Sequence, residues 1–238
     1  MNIHYCLPVI KSTQEEVLHT IKTYNDEYTF FEVWLDYIED LKSDFIDTLI
    51  NSQKKKLILL FRRQNLETPT MESSLREHII KKLEDAKVLV DFDVEQQKDL
   101  LDTVKGKKLQ LITSFHDYTH TPTDNILNDV LERMASYNPT IYKISTLCQT
   151  EEDALRLMQL LLQLKKDEKR CIILGMGEQG SITRIFGTLW GNEMIFAPKE
   201  ASEASAPGQL TKQELETVFT ILDKSEYQST KSETNTKM

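Results

Sequence analysis

Short apolar, β-rich runs alternate with amphipathic helical patterns eight times along the 238 residues of this chain. No other feature constrains the fold as tightly, because strands that are apolar along their whole length belong in a parallel sheet covered by helices on its outer face. Strands are expected over 2–10, 28–35, 57–61, 88–92, 109–114, 141–145, 171–175 and 194–197. Helical spacing follows each of them. Ser12-Thr13-Gln14-Glu15 offers a cap and an acid before the stripe Val17, Ile21, Tyr24, and Ile126, Val130, Leu131 and Met134 form a later stripe. The segment 181–186 reads as a short helix and 211–222 as the closing one. Eight such units are expected to close into a (β/α)8 TIM barrel, a single α/β domain over residues 1–222. A doubly wound open sheet is the alternative; it wants a glycine-rich first turn, and residues 7–14 contain no glycine. Residues 223–238 are polar with almost nothing apolar, and a disordered tail is expected there.

Charge and cysteine usage narrow the partners. The formal net charge of -9 comes from 38 acidic and 29 basic residues spread along the chain, which leaves no basic footprint for nucleic acid. Cys6, Cys148 and Cys171 are widely spaced among apolar neighbours and read as reduced core thiols, not as a disulfide framework or a zinc ligand set. The chain shows no basic-then-apolar leader, and no apolar run approaches the roughly 18 residues of a membrane span. A soluble, cytoplasmic protein with a small-molecule partner and no membrane partner is the expectation.

The strand Ile141-Tyr142-Lys143-Ile144-Ser145 places an amine where apolar residues are expected, with Lys143 on the face shared by Ile141 and Ser145. Burial without a fixed anion lowers an amine's pKa and makes it nucleophilic near neutral pH. An imine-forming lysine is one reading, and an edge-strand lysine reaching solvent along its stem is the other. Barrel chemistry gathers at the C-terminal ends of strands, and polar residues recur there. Glu32 lies near the end of the second strand, Arg62 closes the third, Asp93 the fourth, and His116 follows the fifth. Met176 and Gly177 close the seventh, and Ser205 and Gln209 lie in the loop after the eighth. Lysine, histidine and arginine in one cavity would serve, in turn, a carbonyl, a proton and a carboxylate. The remaining histidines, His4, His19, His78 and His120, lack helical i, i+4 pairing and suggest no metal.

Five stretches carry a resemblance: Glu32-Val-Trp-Leu-Asp36, Ser114-Phe-His-Asp-Tyr118, Tyr142-Lys143, Met176-Gly-Glu-Gln-Gly-Ser-Ile-Thr-Arg184 and Ala204-Ser-Ala-Pro-Gly-Gln209. Together they resemble the type I 3-dehydroquinate dehydratases of the shikimate pathway. That resemblance implies a usually dimeric barrel that converts 3-dehydroquinate to 3-dehydroshikimate and water with no metal or organic cofactor. It implies Lys143 as the imine-forming lysine, His116 as the acid/base and Glu32 as the carboxylate that orients the histidine. Arg184 corresponds to the carboxylate-binding arginine, and Arg62, Ser205 and Gln209 to substrate contacts. The chain departs from the family pattern at Trp34, where arginine is usual, and at Pro8, where a small hydroxyl is usual. The loop after the third strand lacks the Gly-Gly often seen, and Thr183 stands for a serine. These departures keep two other readings open: a catalytically weak binding protein, and a Schiff-base lyase or aldolase for another keto acid.

Overall fold

The computed structural model describes residues 2–52, 57–84 and 86–234, with side chains described as far as residue 223. Strands and helices alternate from end to end. The first half runs β1 Tyr5–Val9, α1 Gln14–Tyr24, β2 Phe30–Trp34, α2 Ser43–Ser52, β3 Leu57–Leu60, α3 Ser73–Leu83, β4 Leu89–Asp93 and α4 Lys98–Val104. The second half runs β5 Gln110–Asp117, α5 Asp124–Ala135, β6 Ile141–Leu147, α6 Glu151–Lys166, β7 Cys171–Met176, α7 Gly177–Trp190, β8 Ile195–Phe196 and α8 Lys212–Thr234. The strands pair in parallel in the order β7-β6-β5-β4-β3-β2-β1-β8. Across the remaining seam, the Glu193 N–H just ahead of β8 donates to the Cys171 carbonyl of β7 at 2.9 Å. The result is the single-domain (β/α)8 barrel that the alternation implies.

Strand parity divides the side chains into two layers. Phe31, Val33, Leu59, Val90, Tyr142, Ile144 and Ile173 point outward and are buried against the helices. Cys6, Ile58, Leu89, Ile112, Ile141, Ile172, Leu174, Met194 and Phe196 form a separate apolar cluster inside the barrel. The inward positions after those residues on β4, β5 and β6 are polar: Asp91 and Asp93, Ser114 and His116, and Lys143 and Ser145. The inner apolar layer thus supports a polar layer at the C-terminal ends of the strands.

Several boundaries differ from the sequence expectations. The first cap shifts by one residue: Thr13 accepts from the Glu16 N–H, and the Glu16 carboxylate accepts from the Thr13 N–H. Thr150 and Asp153 form the same reciprocal cap on α6, and such caps stabilise a helix by about 1 kcal/mol each. His116 lies within β5, which runs on to Asp117, instead of in the following loop. Helix α7 is far longer than the short helix expected over 181–186, because its early glycines serve packing and do not end it. A Cβ at Gly180 would lie 2.3 Å from the Gly175 carbonyl carbon, so only glycine lets the start of α7 approach the end of β7. Helix α8 continues beyond Leu222 to Thr234, over a stretch expected to be a disordered tail. That stretch has no glycine or proline to stop it and includes lysine, glutamate and glutamine, which favour helix. Residues 235–238 lie outside the described residues.

Candidate active site

Seven of the residues singled out from the sequence line one cavity inside the C-terminal mouth of the barrel, Glu32, Arg62, His116, Lys143, Arg184, Ser205 and Gln209, while Asp93, Met176 and Gly177 are not part of its wall. Trp34, Tyr118, Ser145, Leu174, Phe196 and Ala206 complete its wall. Its free volume is about 30 Å³, room for about one water molecule. A larger cleft of about 690 Å³ lies beside it, next to the loops after β1 and β2 and the start of α3. Its cations and Asp36 are already engaged: Lys11 with Glu203, Arg63 with Glu67, and Asp36 with the N–H groups of Thr70 and Met71. The smaller cavity holds the buried titratable groups.

Lys143 sits at its floor. Its Nζ donates to Asp91 Oδ2 at 2.8 Å and to Glu32 Oε1 at 3.0 Å, and lies 4.4 Å from the centre of the Phe196 ring. Burial by itself would pull the ammonium pKa down, but Asp91 and then Glu32 outweigh it and hold it above the ordinary value. This corrects the expectation of a depressed amine, which assumed that no anion stood nearby. Strand β4 supplied one: Asp91 is fully buried, and its carboxylate also takes Arg62 at 3.1 and 3.4 Å and the Ser114 hydroxyl at 2.5 Å. Those cations hold the Asp91 carboxyl well below the usual range, against the opposing effect of burial.

His116 is oriented by a different carboxylate from the one expected. Its Nδ1 lies 2.9 Å from Asp93 Oδ2, while the Glu32 carboxylate bonds, among the described residues, Lys143 and, at 2.9 Å, the indole Nε1–H of Trp34. Register explains the correction. Asp93 of β4 pairs with Ser114 of β5, one inward position below His116, whereas Glu32 lies on β2, across the intervening strands. The Asp93 carboxylate is itself pinned by the N–H groups of Glu95 and Gln96, each at 3.0 Å. Arg62 Nη2 lies 3.2 Å from His116 Nε2. A guanidinium can only donate, so Nε2 carries the lone pair and the ring proton sits on Nδ1, facing Asp93. Burial and the Arg62 charge together hold the His116 pKa below its ordinary value, with Asp93 opposing them. The ring therefore rests neutral, with its Nε2 lone pair held by Arg62.

The two arginines differ. Arg62 is buried but matched by Asp91, and its pKa lies above the ordinary value because Asp91, Asp93 and Glu32 outweigh its burial. Arg184, on α7, has no carboxylate partner; Nη2 donates to the Pro207 carbonyl at 3.2 Å, and Nε and Nη1 have no hydrogen-bond partner among the described residues. Burial pulls its pKa down to about 10, so it is still a cation at neutral pH. Thr183 locks this part of α7 to β7, accepting from the Gly175 N–H and donating to the Gly180 carbonyl. Ser205 and Gln209 bond each other: the Ser205 N–H donates to Gln209 Oε1 and Gln209 Nε2 to the Ser205 hydroxyl, both at 2.9 Å. A buried cation with unused donors is a receptor for a small anion.

Asp91 and Tyr118 were given no role from the sequence, and Asp93 only a place among the polar strand ends. The signal for Asp91 was present as a carboxylate inside the apolar strand Leu89-Val90-Asp91-Phe92, at the inward parity. Tyr118 stacks on His116 with ring centres 6.2 Å apart and an interplanar angle of 13°.

Fold and site together define a class: (β/α)8-barrel proteins with a buried lysine and a histidine at the C-terminal ends of adjacent strands, the layout of a Schiff-base lyase. The sequence profile of the type I 3-dehydroquinases matches residues 5–226, and the chain belongs to that family. A 3-dehydroquinate dehydratase of Coxiella burnetii is 32% identical over 211 residues, covering 86% of this chain and 87% of that protein. One from Methanocaldococcus jannaschii is 27% identical over 226 residues, covering 92% and 98%. Among solved structures, the 3-dehydroquinate dehydratase of Geobacillus kaustophilus superimposes with a TM-score of 0.75 at 21% identity, over 94% of this chain and 92% of that one. The type I enzyme of Clostridium difficile, solved with covalently modified comenic acid, gives 0.77 at 22% identity, over 94% and 93%. At these identities the structural likeness concerns the fold.

Proposed function

We propose that this chain is a hydro-lyase that dehydrates 3-dehydroquinate to 3-dehydroshikimate in the shikimate pathway, with Lys143 as the nucleophile and His116 as the acid/base. The observation that carries this reading is the convergence, in one cavity, of a buried lysine, a neutral histidine with its Nε2 lone pair held by Arg62, and a cationic Arg184 without a carboxylate partner. Arg184 takes the substrate carboxylate, and Ser205 and Gln209 exchange their mutual bond for bonds to substrate. Lys143 first gives up its proton, and Asp91 and Glu32 are the groups in contact to receive it. The free amine adds to the ketone carbon and water leaves, which produces an iminium. The iminium makes the adjacent C–H acidic, and His116 Nε2, once Arg62 has given up its hydrogen bond to that nitrogen, removes the proton. The resulting enamine expels the neighbouring hydroxyl, which takes the proton back from His116 and leaves as water. A second water hydrolyses the conjugated imine, releases product and restores the Lys143 amine. Arg62 ties the Asp91 carboxylate to His116 and so acts as a bridge between nucleophile and base, in addition to lining the cavity.

The proposal extends to a soluble, cytoplasmic homodimer whose catalytic unit is residues 1–222. Among the described residues, no helix is long and apolar enough to cross a membrane. Leu155 and Leu162 of α6 and Ile182 and Trp190 of α7 are exposed apolar side chains on packed neighbouring helices, of the kind a subunit contact would cover.

Purified protein mixed with 3-dehydroquinate and sodium borohydride tests the central reading, because reduction locks the imine. The expected result is an adduct on the peptide containing Lys143, its loss in Lys143→Ala, and turnover about 10²–10⁴-fold lower in His116→Ala with the fold retained. Folded wild-type protein that yields neither adduct nor 3-dehydroshikimate would overturn it.

A further inference from the structure

Trp34 stands in the wall of the cavity, almost wholly buried, two residues after Glu32 on β2. That spacing puts both side chains on the inner face, one above the other. The indole Nε1–H donates to Glu32 Oε2 at 2.9 Å, and the other oxygen of the same carboxylate accepts from Lys143 at 3.0 Å. The indole is held in turn by Tyr37, edge-on at 6.0 Å between ring centres, and by the Arg62 guanidinium at 5.9 Å from its own ring centre. We infer that Trp34 is a positioning residue for the nucleophile. By occupying one oxygen of Glu32, it fixes the carboxylate so that its other oxygen stays on Lys143, and the amine rests protonated between Glu32 and Asp91.

A carboxylate held by two donors on different oxygens cannot rotate without losing one of them. Without the indole N–H, Glu32 is free to turn about its terminal bond, and the contact that helps keep Lys143 charged loosens. A tryptophan that only filled the mouth of the barrel would affect stability or substrate fit and leave the protonation of Lys143 unchanged. The role in catalysis rests on Lys143 being the nucleophile, as proposed above, but the charge state of the amine is measurable without substrate.

The test is the pH dependence of Lys143 acetylation by acetic anhydride, read by peptide mass in wild type, Trp34→Phe and Glu32→Gln, with borohydride trapping of 3-dehydroquinate alongside. Trp34→Phe keeps a ring against Tyr37 and Arg62 but has no donor. The expected result is a half-labelling pH about one unit lower in Trp34→Phe, the size of one charge-assisted hydrogen bond, and a shift in the same direction in Glu32→Gln. The kinetic counterpart is a limb of the kcat/KM profile belonging to Lys143 that moves to lower pH in Trp34→Phe in parallel with the labelling, because kcat/KM reports the free enzyme's ionisations. If Trp34→Phe is poorly folded, Trp34→Met carries the same readout with a flexible side chain in place of the ring. A shift in Glu32→Gln with a wild-type profile in the Trp34 variants would reduce Trp34 to packing and overturn the inference. Wild-type profiles in all variants would overturn it as well. A shifted profile in a protein that traps no 3-dehydroquinate would leave Trp34 as the positioning group of Lys143 and remove the dehydratase reading alone.

Discussion

At Lys143, burial and charge oppose each other. Removal from water disfavours the ammonium, while Asp91 and Glu32, both within hydrogen-bonding distance, favour it, and the carboxylates prevail. The lysine was legible in the sequence because a charged residue interrupts an apolar strand, but its protonation state depends on residues from β2 and β4 that only the closed barrel brings to it. The same holds at His116, whose partner is Asp93 and not the Glu32 expected. Asp93→Asn removes the charge that opposes burial at His116 and allows the amide to turn its NH2 toward Nδ1. The expected outcome is kcat lower by about 10²-fold or more, with the acid limb of the kcat/KM profile moved to lower pH, because Asp93 is a group that raises the His116 pKa. Turnover followed from pH 4 to pH 8 checks it; an acid limb that stays in place or moves upward would contradict the Asp93 assignment.

Elements carry the site by their register. The inward positions of β4, β5 and β6 place Asp91, Asp93, Ser114, His116 and Lys143 on one inner surface, with Asp91, Ser114 and Lys143 each two residues beyond the inner apolar residues Leu89, Ile112 and Ile141 on the same strand face. Helix α7 supplies Arg184, and the loop after β8 closes over it. That loop is attached at Pro207, whose carbonyl accepts from Arg184 and from the Gly177 N–H. Gly208 has φ +76, and a Cβ there would meet the Gly177 carbonyl oxygen at 2.7 Å. Gly208→Ala combines a left-handed backbone with a backbone clash, so the loop is expected to lift from α7. KM for 3-dehydroquinate should rise about tenfold or more, while Tm changes by less than about 4 °C, because the loop contributes little to the core. Steady-state kinetics and a thermal melt separate the two. The 30 Å³ cavity is far smaller than the ~300–1,000 Å³ of ordinary ligand sites, so part of its wall has to shift before a ligand of substrate size fits.

For the whole molecule, the buried ionic cluster predicts how stability follows pH. His116, Asp91 and Asp93 all titrate below their ordinary values in the fold. The unfolded chain therefore binds protons that the folded one resists, first below roughly pH 6.5 at the histidine and then below roughly pH 4 at the aspartates. Lys143 is shifted upward, so its contribution is full below roughly pH 10.4 and is lost only as pH rises through the higher folded value. Tm should be nearly flat from about pH 7 to pH 8, fall on acidification in two stages, and fall again above roughly pH 8.5, where the unfolded chain gives up thiol protons that buried Cys6, Cys148 and Cys171 keep in the fold; His116→Gln should remove the first acid stage and leave the second. Calorimetry across this range checks the order of the two acid losses.

The sequence by itself determined the eightfold barrel, the inward parity of Lys143 and the strand-end positions of Glu32, Arg62 and His116, because strand period and strand–helix spacing are local properties of the chain, while Arg184 was legible only through the motif resemblance. Tertiary structure alone decided which carboxylate serves which base, that Lys143 rests charged and His116 neutral, and that Arg62 is paired with a carboxylate while Arg184 has none among the described residues. Those facts depend on distances of about 3 Å between strands far apart in the sequence, and electrostatic coupling in a buried site is set by such distances and not by residue identity.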